Sequence, residues 1–238
     1  MTTFDGFFSV ERADVRLECR DYGGEGPTVI LLHGLAGTSH EWEATASWLT
    51  ATHRVIAPDQ RGHGRSERFP TSVSTADLVD DVLAIADELK LAPFLLIGQS
   101  FGGLVALLTA ARRPDLVRAL VVAEASPSAA RGEDVVNLQS WLDQWPVERP
   151  FDAQVVTQTL AVTVGVEYWN EWGSIRAPTL IVRGERGWVS GTEAREMAAR
   201  LATAEAVAIE GAGHNVHLDA PEEWRRVIED FLRSIPPQ

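Results

Sequence analysis

Basic residues are scarce in this chain: 21 Lys and Arg stand against 34 Asp and Glu, a formal net charge of -13. Polyanions are held by basic patches, so nucleic acid is excluded as a partner. Cysteine is nearly missing. Cys19 stands alone, which forbids an intramolecular disulfide and a cysteine-based metal site. Nothing approaches the roughly 18 consecutive apolar residues of a membrane-spanning helix. The opening MTTFDGFFSVERADVRLE carries acidic residues where an export signal needs a basic start and an apolar run, so the expected setting is cytoplasmic. Repeats of about 20–50 residues and low-complexity tracts are also missing. The six histidines are scattered, and His214 and His217 have no evident third ligand, so no metal site is expected. The stretch Gly98–Gly103 lacks both the G-x-G-x-x-G spacing and the Lys-Ser/Thr of a phosphate loop, so no cofactor is implied.

What is present is a chain of 238 residues, 45% hydrophobic and 23% charged, enough for one domain with a sizeable core. Phe7–Val10 and Val15–Tyr22 alternate apolar and polar side chains about a turn at Ala13-Asp14, the pattern of a half-buried antiparallel hairpin. The pattern then changes. Thr28–Leu32, Arg54–Ala57, Phe94–Ile97, Leu116–Ala123 and Thr179–Val182 are continuous apolar runs, as expected of strands buried on both faces of a parallel sheet. Helical stretches lie between them at Glu41–Thr50, Ser74–Leu91, Leu104–Arg112, Glu193–Leu201 and Pro221–Ile235, and Ala206–Ile209 reads as a short edge strand. Such alternation predicts an α/β fold, an open sheet with helices on both faces.

The rhythm breaks at Ser126–Ile175, which holds Trp141, Trp145, Trp169 and Trp172 and no convincing buried strand. We read residues 126–175 as a small helical cap inserted between 1–125 and 176–238, lying over the carboxyl ends of the strands, where open α/β sheets bind ligands. Its tryptophans, with Trp188, are candidates to line an apolar substrate pocket; the alternative is that they pack cap onto core.

The strongest local signal is Leu95–Gly103, an apolar strand running through Gly98-Gln99-Ser100-Phe101-Gly102 into a helix. In G-x-S-x-G the glycines let the backbone bend sharply, so that the Ser100 hydroxyl stands above the sheet at a helix N-terminus. After the first parallel strand comes His33-Gly34-Leu35-Ala36-Gly37. A backbone N–H there, that of Leu35, can meet the N–H of Phe101 around an oxyanion. His33 reads as a loop-holding residue, and Asp59, Arg61 and His63 in Asp59–Ser66 read as a hydrogen-bonded scaffold. Near the end, Gly211-Ala212-Gly213-His214 offers an imidazole to Ser100, as base for the hydroxyl and then acid for the leaving group. The alternatives are His217 or a histidine that only holds the loop.

In this order, and over nearly the whole chain, HGLAG, DQRGHGRS, GQSFGG and GAGH resemble the α/β-hydrolase superfamily. The resemblance implies that fold, with a small helical cap. It is much less specific for substrate, because the superfamily hosts esterases, lactonases, thioesterases, lyases and C–C bond hydrolases. It also implies a carboxylate behind the histidine, most often an aspartate in a Gly-x-x-Asp pattern after the strand matching Thr179–Val182. Here the sequence runs Gly184-Glu185-Arg186-Gly187, and the expected aspartate is a glycine. Some relatives, zearalenone lactone hydrolases and certain haloalkane dehalogenases among them, carry their acid after the strand that follows the nucleophile helix. That position is Glu124 here. Glu185 is the competing candidate, and loss of the acid is the third possibility. A charge directly after Val121-Val122-Ala123 is costly without a partner, and His214 is the natural one.

The expectation is therefore a serine hydrolase with Ser100, His214 and Glu124, acting on an ester or lactone of a fairly apolar small molecule. The alternatives are a lyase or C–C bond hydrolase in which His214 deprotonates the substrate directly, or a slow-turnover binding relative. Serine at the elbow argues against chemistry that needs a carboxylate nucleophile.

Overall fold

The computed structural model describes residues 6–236 apart from 13, 92, 131 and 147. The turn expected at Ala13-Asp14 lies partly outside the described residues. On either side of it, β1 (Gly6–Arg12) and β2 (Val15–Gly23) pair antiparallel, with Arg12 opposite Val15. Six further strands follow: β3 (Thr28–Leu32), β4 (Arg54–Pro58), β5 (Phe94–Gln99), β6 (Val117–Ala123), β7 (Thr179–Gly184) and β8 (Ala204–Ile209). The sheet order is β1-β2-β4-β3-β5-β6-β7-β8, parallel from β4 onward.

Side chains alternate across a strand, and the apolar runs use that alternation to feed two cores. Val29 and Leu31 of β3, Leu95 and Ile97 of β5, and Val121 of β6 face one side, with α1 (Glu43–Leu49) and α9 (Pro221–Ser234) packed there. Ile30, Leu32, Leu96, Leu120 and Val122 face the other, against α2 (Thr75–Glu88), α3 (Phe101–Arg112) and α7 (Gly191–Arg200). This double burial is why the strands read as continuous apolar runs. Helix α2 starts on a reciprocal cap: the Ser74 hydroxyl accepts from the Asp77 N–H, and the Asp77 carboxylate accepts from the Ser74 N–H. The helix expected over Glu41–Thr50 is a 3-10 turn at Ser39–Trp42 followed by α1, and α3 begins at Phe101 rather than Leu104. Among the described residues, no helix is long and apolar enough to cross a membrane.

Residues 126–175 form α4 (Gly132–Leu142), α5 (Ala153–Ala161) and α6 (Trp169–Ser174), and these helices go to different places. Helices α4 and α5 dock through Phe151, which packs with Ala36, Leu142 and Val156 and bridges to His63. Helix α6 packs on α3 and α7. Trp172 is fully buried there and donates its indole N–H to the Met197 carbonyl at 2.9 Å, while Trp169 lies under the Arg200 guanidinium. Trp172 therefore belongs to the core and Trp169 lies half-buried against it, on α6 where it packs on α3 and α7, which corrects the expectation that they line a ligand pocket. An indole stripe looks the same whether it faces a pocket or a neighbouring helix.

The loop after β4 is the scaffold expected of it. Asp59 accepts from the N–H groups of Ser39 at 2.6 Å and Arg65 at 2.9 Å. Arg61 is buried and grips Asp81 through two 2.7 Å bonds. His33 accepts the Gln60 N–H at 2.9 Å. His63 accepts the Ala36 N–H at 3.1 Å and donates to the Arg61 carbonyl at 2.9 Å, so it ties the loop after β4 to the loop after β3. Burial, with His33 nearby, pushes the His63 pKa from 6.5 down to about 3. A histidine held neutral in the fold takes up a proton only on unfolding. Stability is then complete above the unfolded value and falls as pH drops below it, by about 1.4 kcal/mol per pH unit. We expect His63→Gln, which can keep both hydrogen bonds, to lose about 1.6 kcal/mol less than the wild type between pH 6.5 and 5 in denaturant titrations. Equal losses would contradict the burial of a neutral ring.

Candidate active site

The sheet register brings the ends of β5, β6 and β7 together. Gln99 lies opposite Ala123 and Ala123 opposite Val182, and one residue further on Ser100 N–H donates to the Ala123 carbonyl and Glu124 N–H to that of Val182, at 2.8 and 2.9 Å. Ser100 occupies the bend between β5 and α3 with φ 53° and ψ -124°, a conformation that costs about 1–3 kcal/mol and persists only where the surroundings impose it. They do so here because the backbone crosses itself closely. A Cβ on Gly98 would run into the Gly102 carbonyl, and one on Gly102 into the carbonyls of Leu32 and His33.

The loop after β3 lies against this bend. A Cβ on Gly34 would stand 3.1 Å from the Ser100 Cβ and strike the Gln99 amide. Leu35 is the next residue. Phe101 opens α3, so its N–H has no intrahelical acceptor. These are the two donors that the motifs suggested for an oxyanion.

His214 lies between β8 and the short α8 (Val216–Asp219), and its loop is held from several sides. The Gln99 amide donates to the His214 carbonyl at 3.0 Å and to Asn215 Oδ1 at 3.3 Å. Gly213 N–H donates to Asp219 at 2.8 Å, and Gly211 N–H to Glu185 at 3.0 Å. So oriented, His214 Nε2 is 2.8 Å from Ser100 Oγ and Nδ1 is 3.2 Å from Glu124 Oε2. An ionised carboxylate only accepts, so Nδ1 carries the proton and the Nε2 lone pair faces the hydroxyl.

Glu124 has no exposed side-chain surface and a left-handed backbone, φ 51°. Its carboxylate accepts from the N–H groups of Gly184 at 2.7 Å, Trp188 at 2.6 Å and Val189 at 3.4 Å, besides His214. The loop after β7 is thus wrapped around an anion from β6. Any Cβ on Gly187 would lie inside the van der Waals envelope of that carboxylate. The Glu124 carboxylate fills the space that a side chain at 187 would need.

Among the other candidates, Glu185 is exposed and bonds Gly211 rather than His214. His217 is buried, stacked on Trp42, with Nε2 3.6 Å from Glu41. Trp141 is 40% exposed and meets Trp145 edge-on at 5.1 Å; Trp145 in turn meets Phe151 at 5.2 Å. Trp145 and Phe151 share one apolar cluster with Leu35 and Ala36, and Trp141 reaches it through Trp145. Trp188 lies flat against His214, with centroids 3.8 Å apart and planes 22° apart. Sequence reading missed Gln99 as the tie between the two site loops, since the middle residue of G-x-S carries no signal of its own. It missed Phe151 as the docking residue for the same reason.

Comparison with known proteins agrees with this architecture. The chain is 26% identical over 244 residues to (E)-2-((N-methylformamido)methylene)succinate hydrolase of Acinetobacter baylyi, covering 90% of this chain and 93% of the relative. Among solved structures, E-2-(acetamidomethylene)succinate hydrolase superposes with a TM-score of 0.84 at 24% identity, covering 96% of this chain and 100% of the other. The enol-lactonase from Burkholderia xenovorans LB400 gives 0.83 at 22% identity, covering 92% and 97%. A family model described as alpha/beta hydrolase fold matches residues 27–161, and with the sheet order and the strand-end loops described above, the chain belongs to the alpha/beta hydrolase fold family.

Proposed function

We propose that this protein is a serine hydrolase that cleaves a carboxylic ester or lactone of a fairly apolar small molecule through an acyl-enzyme. The observation that carries the reading is the unbroken hydrogen-bonded chain from Ser100 Oγ through His214 to the buried Glu124 carboxylate. Ser100 Oγ attacks the carbonyl carbon while His214 Nε2 takes the hydroxyl proton. The N–H groups of Leu35 and Phe101 receive the oxyanion, His214 returns the proton to the leaving oxygen, and the acyl group stays on Ser100. A water then repeats the sequence with His214 as base, releasing the acid. Glu124 holds the Nδ1–H tautomer and balances the imidazolium in both halves.

The apolar preference rests on Trp145, Phe151 and Leu35, which share one cluster, with Trp141 edge-on to Trp145; Leu35 follows Gly34, which lies against the Ser100 bend. Arg149, a cation in that region, is already bonded to the Leu142 carbonyl and lies over Phe151. A second reading draws on the relative from Acinetobacter baylyi, which is named for a formamido-substituted methylenesuccinate; under it the same machinery would open a bond other than an ester. Initial rates on matched aryl ester, lactone and N-acyl substrates decide between them. Faster ester or lactone cleavage with an initial burst supports our reading, and N-acyl preference supports the second.

On a short-chain aryl ester we expect Ser100→Ala and Glu124→Gln each to lower kcat by about 10⁴, the latter by removing the group that selects the tautomer. Glu185→Gln should stay within about twofold. Retained turnover in Ser100→Ala would point instead to direct deprotonation of substrate by His214. Gly187→Asp should be inactive, because two carboxylates cannot share one space. Combined with Glu124→Ala it should recover at least about tenfold over Glu124→Ala alone, an activation difference of about 1.4 kcal/mol. No recovery in the double variant would contradict the exchange of the acid between the two loops.

A further inference from the structure

Trp188 is 78% exposed, so its indole is not there to fill a core. Its main chain donates to Glu124 Oε2 at 2.6 Å, and its ring lies against His214 at 3.8 Å and 22°. One residue thus touches the acid with its backbone and the base with its side chain. We propose that Trp188 is a positioning residue for His214: the stacked indole fixes the plane of the imidazole and stabilises the positive charge that the ring acquires when it takes the serine proton. This rests on the reading of His214 as the base.

The bonds to Ser100 and Glu124 both reach the imidazole at its edge. They fix where the ring nitrogens lie, yet leave the ring free to tip about the line that joins them. A flat contact on one face removes that freedom. An aromatic face also attracts a cation, tryptophan most strongly, because the ring quadrupole places negative charge above its plane. Among the described residues, Glu124 is the charged group in contact with the imidazole itself. Glu185 and Arg186 act on the same loop at Gly211, and Asp219 at Gly213, all through backbone groups. The stack is therefore the contact that can favour imidazolium over imidazole from the open side of the site.

The test compares Trp188→Phe, Trp188→Leu and Trp188→Ala in the full chain. On a short-chain aryl ester, Leu and Ala should lower kcat about fivefold with KM within about twofold, and move the acidic limb of the kcat profile to lower pH. Phe, which keeps an aromatic face, should restore most of both. A purely space-filling role would be rescued by Leu as well as by Phe, and a substrate contact would raise KM with kcat unchanged. Either result overturns the proposal. A second readout needs no substrate. The fluorescence difference between wild type and Trp188→Phe should fall as His214 gains its proton, because an imidazolium quenches a stacked indole, and that titration should vanish in His214→Gln. A flat difference overturns the stack. Because it is read without turnover, it tests the contact even if every ester were left uncleaved, whereas that failure would fall on the hydrolase reading.

Discussion

Most of the site is arranged around one buried negative charge. The Glu124 carboxylate is out of contact with solvent, and a carboxylate removed from water is tolerated only with hydrogen bonds on its oxygens and a partner for its charge. The loop after β7 supplies the first with the N–H groups of Gly184, Trp188 and Val189, and His214 supplies the second. Several features follow from that demand. The loop curls inward so that its amides point at β6. Position 187 carries no side chain, and the Glu124 backbone adopts a left-handed conformation that non-glycine residues rarely hold. The histidine ring is turned so that one edge meets the anion and the other meets the serine.

The sheet makes this economical. Strands β5 and β6 end in step, so Ser100 and Glu124 are neighbours, and β7 runs two residues further, so the loop that follows it closes over the Glu124 carboxylate. The left-handed bend at Ser100, made possible by close backbone crossings at Gly98 and Gly102, lifts the hydroxyl toward the one element that arrives from elsewhere, the loop before α8. Gln99 fastens that loop from below, while its amide oxygen is what a side chain at Gly34 would strike. A single buried amide therefore sets the spacing between the serine, the histidine loop and the loop after β3.

Much of this was legible in the sequence. The doubly buried strands show as uninterrupted apolar runs because both sheet faces are covered, and the hairpin shows as alternation because one face is not. Ser100 and His214 stand out because glycines mark the bends that expose them, and Glu124 because some members of the resembled superfamily carry their acid after this strand and a charge at the end of an apolar run needs a partner. What remained hidden depends on which neighbour a face meets. Trp172 and Trp169 pack on α3 and α7 rather than beside the site, and no feature of their spacing tells a pocket wall from a helix contact. Gly187 reads as a lost aspartate until the Glu124 carboxylate is seen in its place. The face-on contact of Trp188 with His214 joins two loops far apart in the chain, which local pattern cannot reveal.

Glu124, rather than Glu185, meets His214 Nδ1 and holds the proton there. Proton NMR of the resting protein reads this directly, since an imidazole N–H bonded to a carboxylate resonates far downfield of ordinary amides. One such resonance is expected, coupled to the His214 ring nitrogen, persisting in Glu185→Gln and disappearing in Glu124→Ala. A downfield signal that survives the loss of Glu124 and vanishes with Glu185 would contradict it.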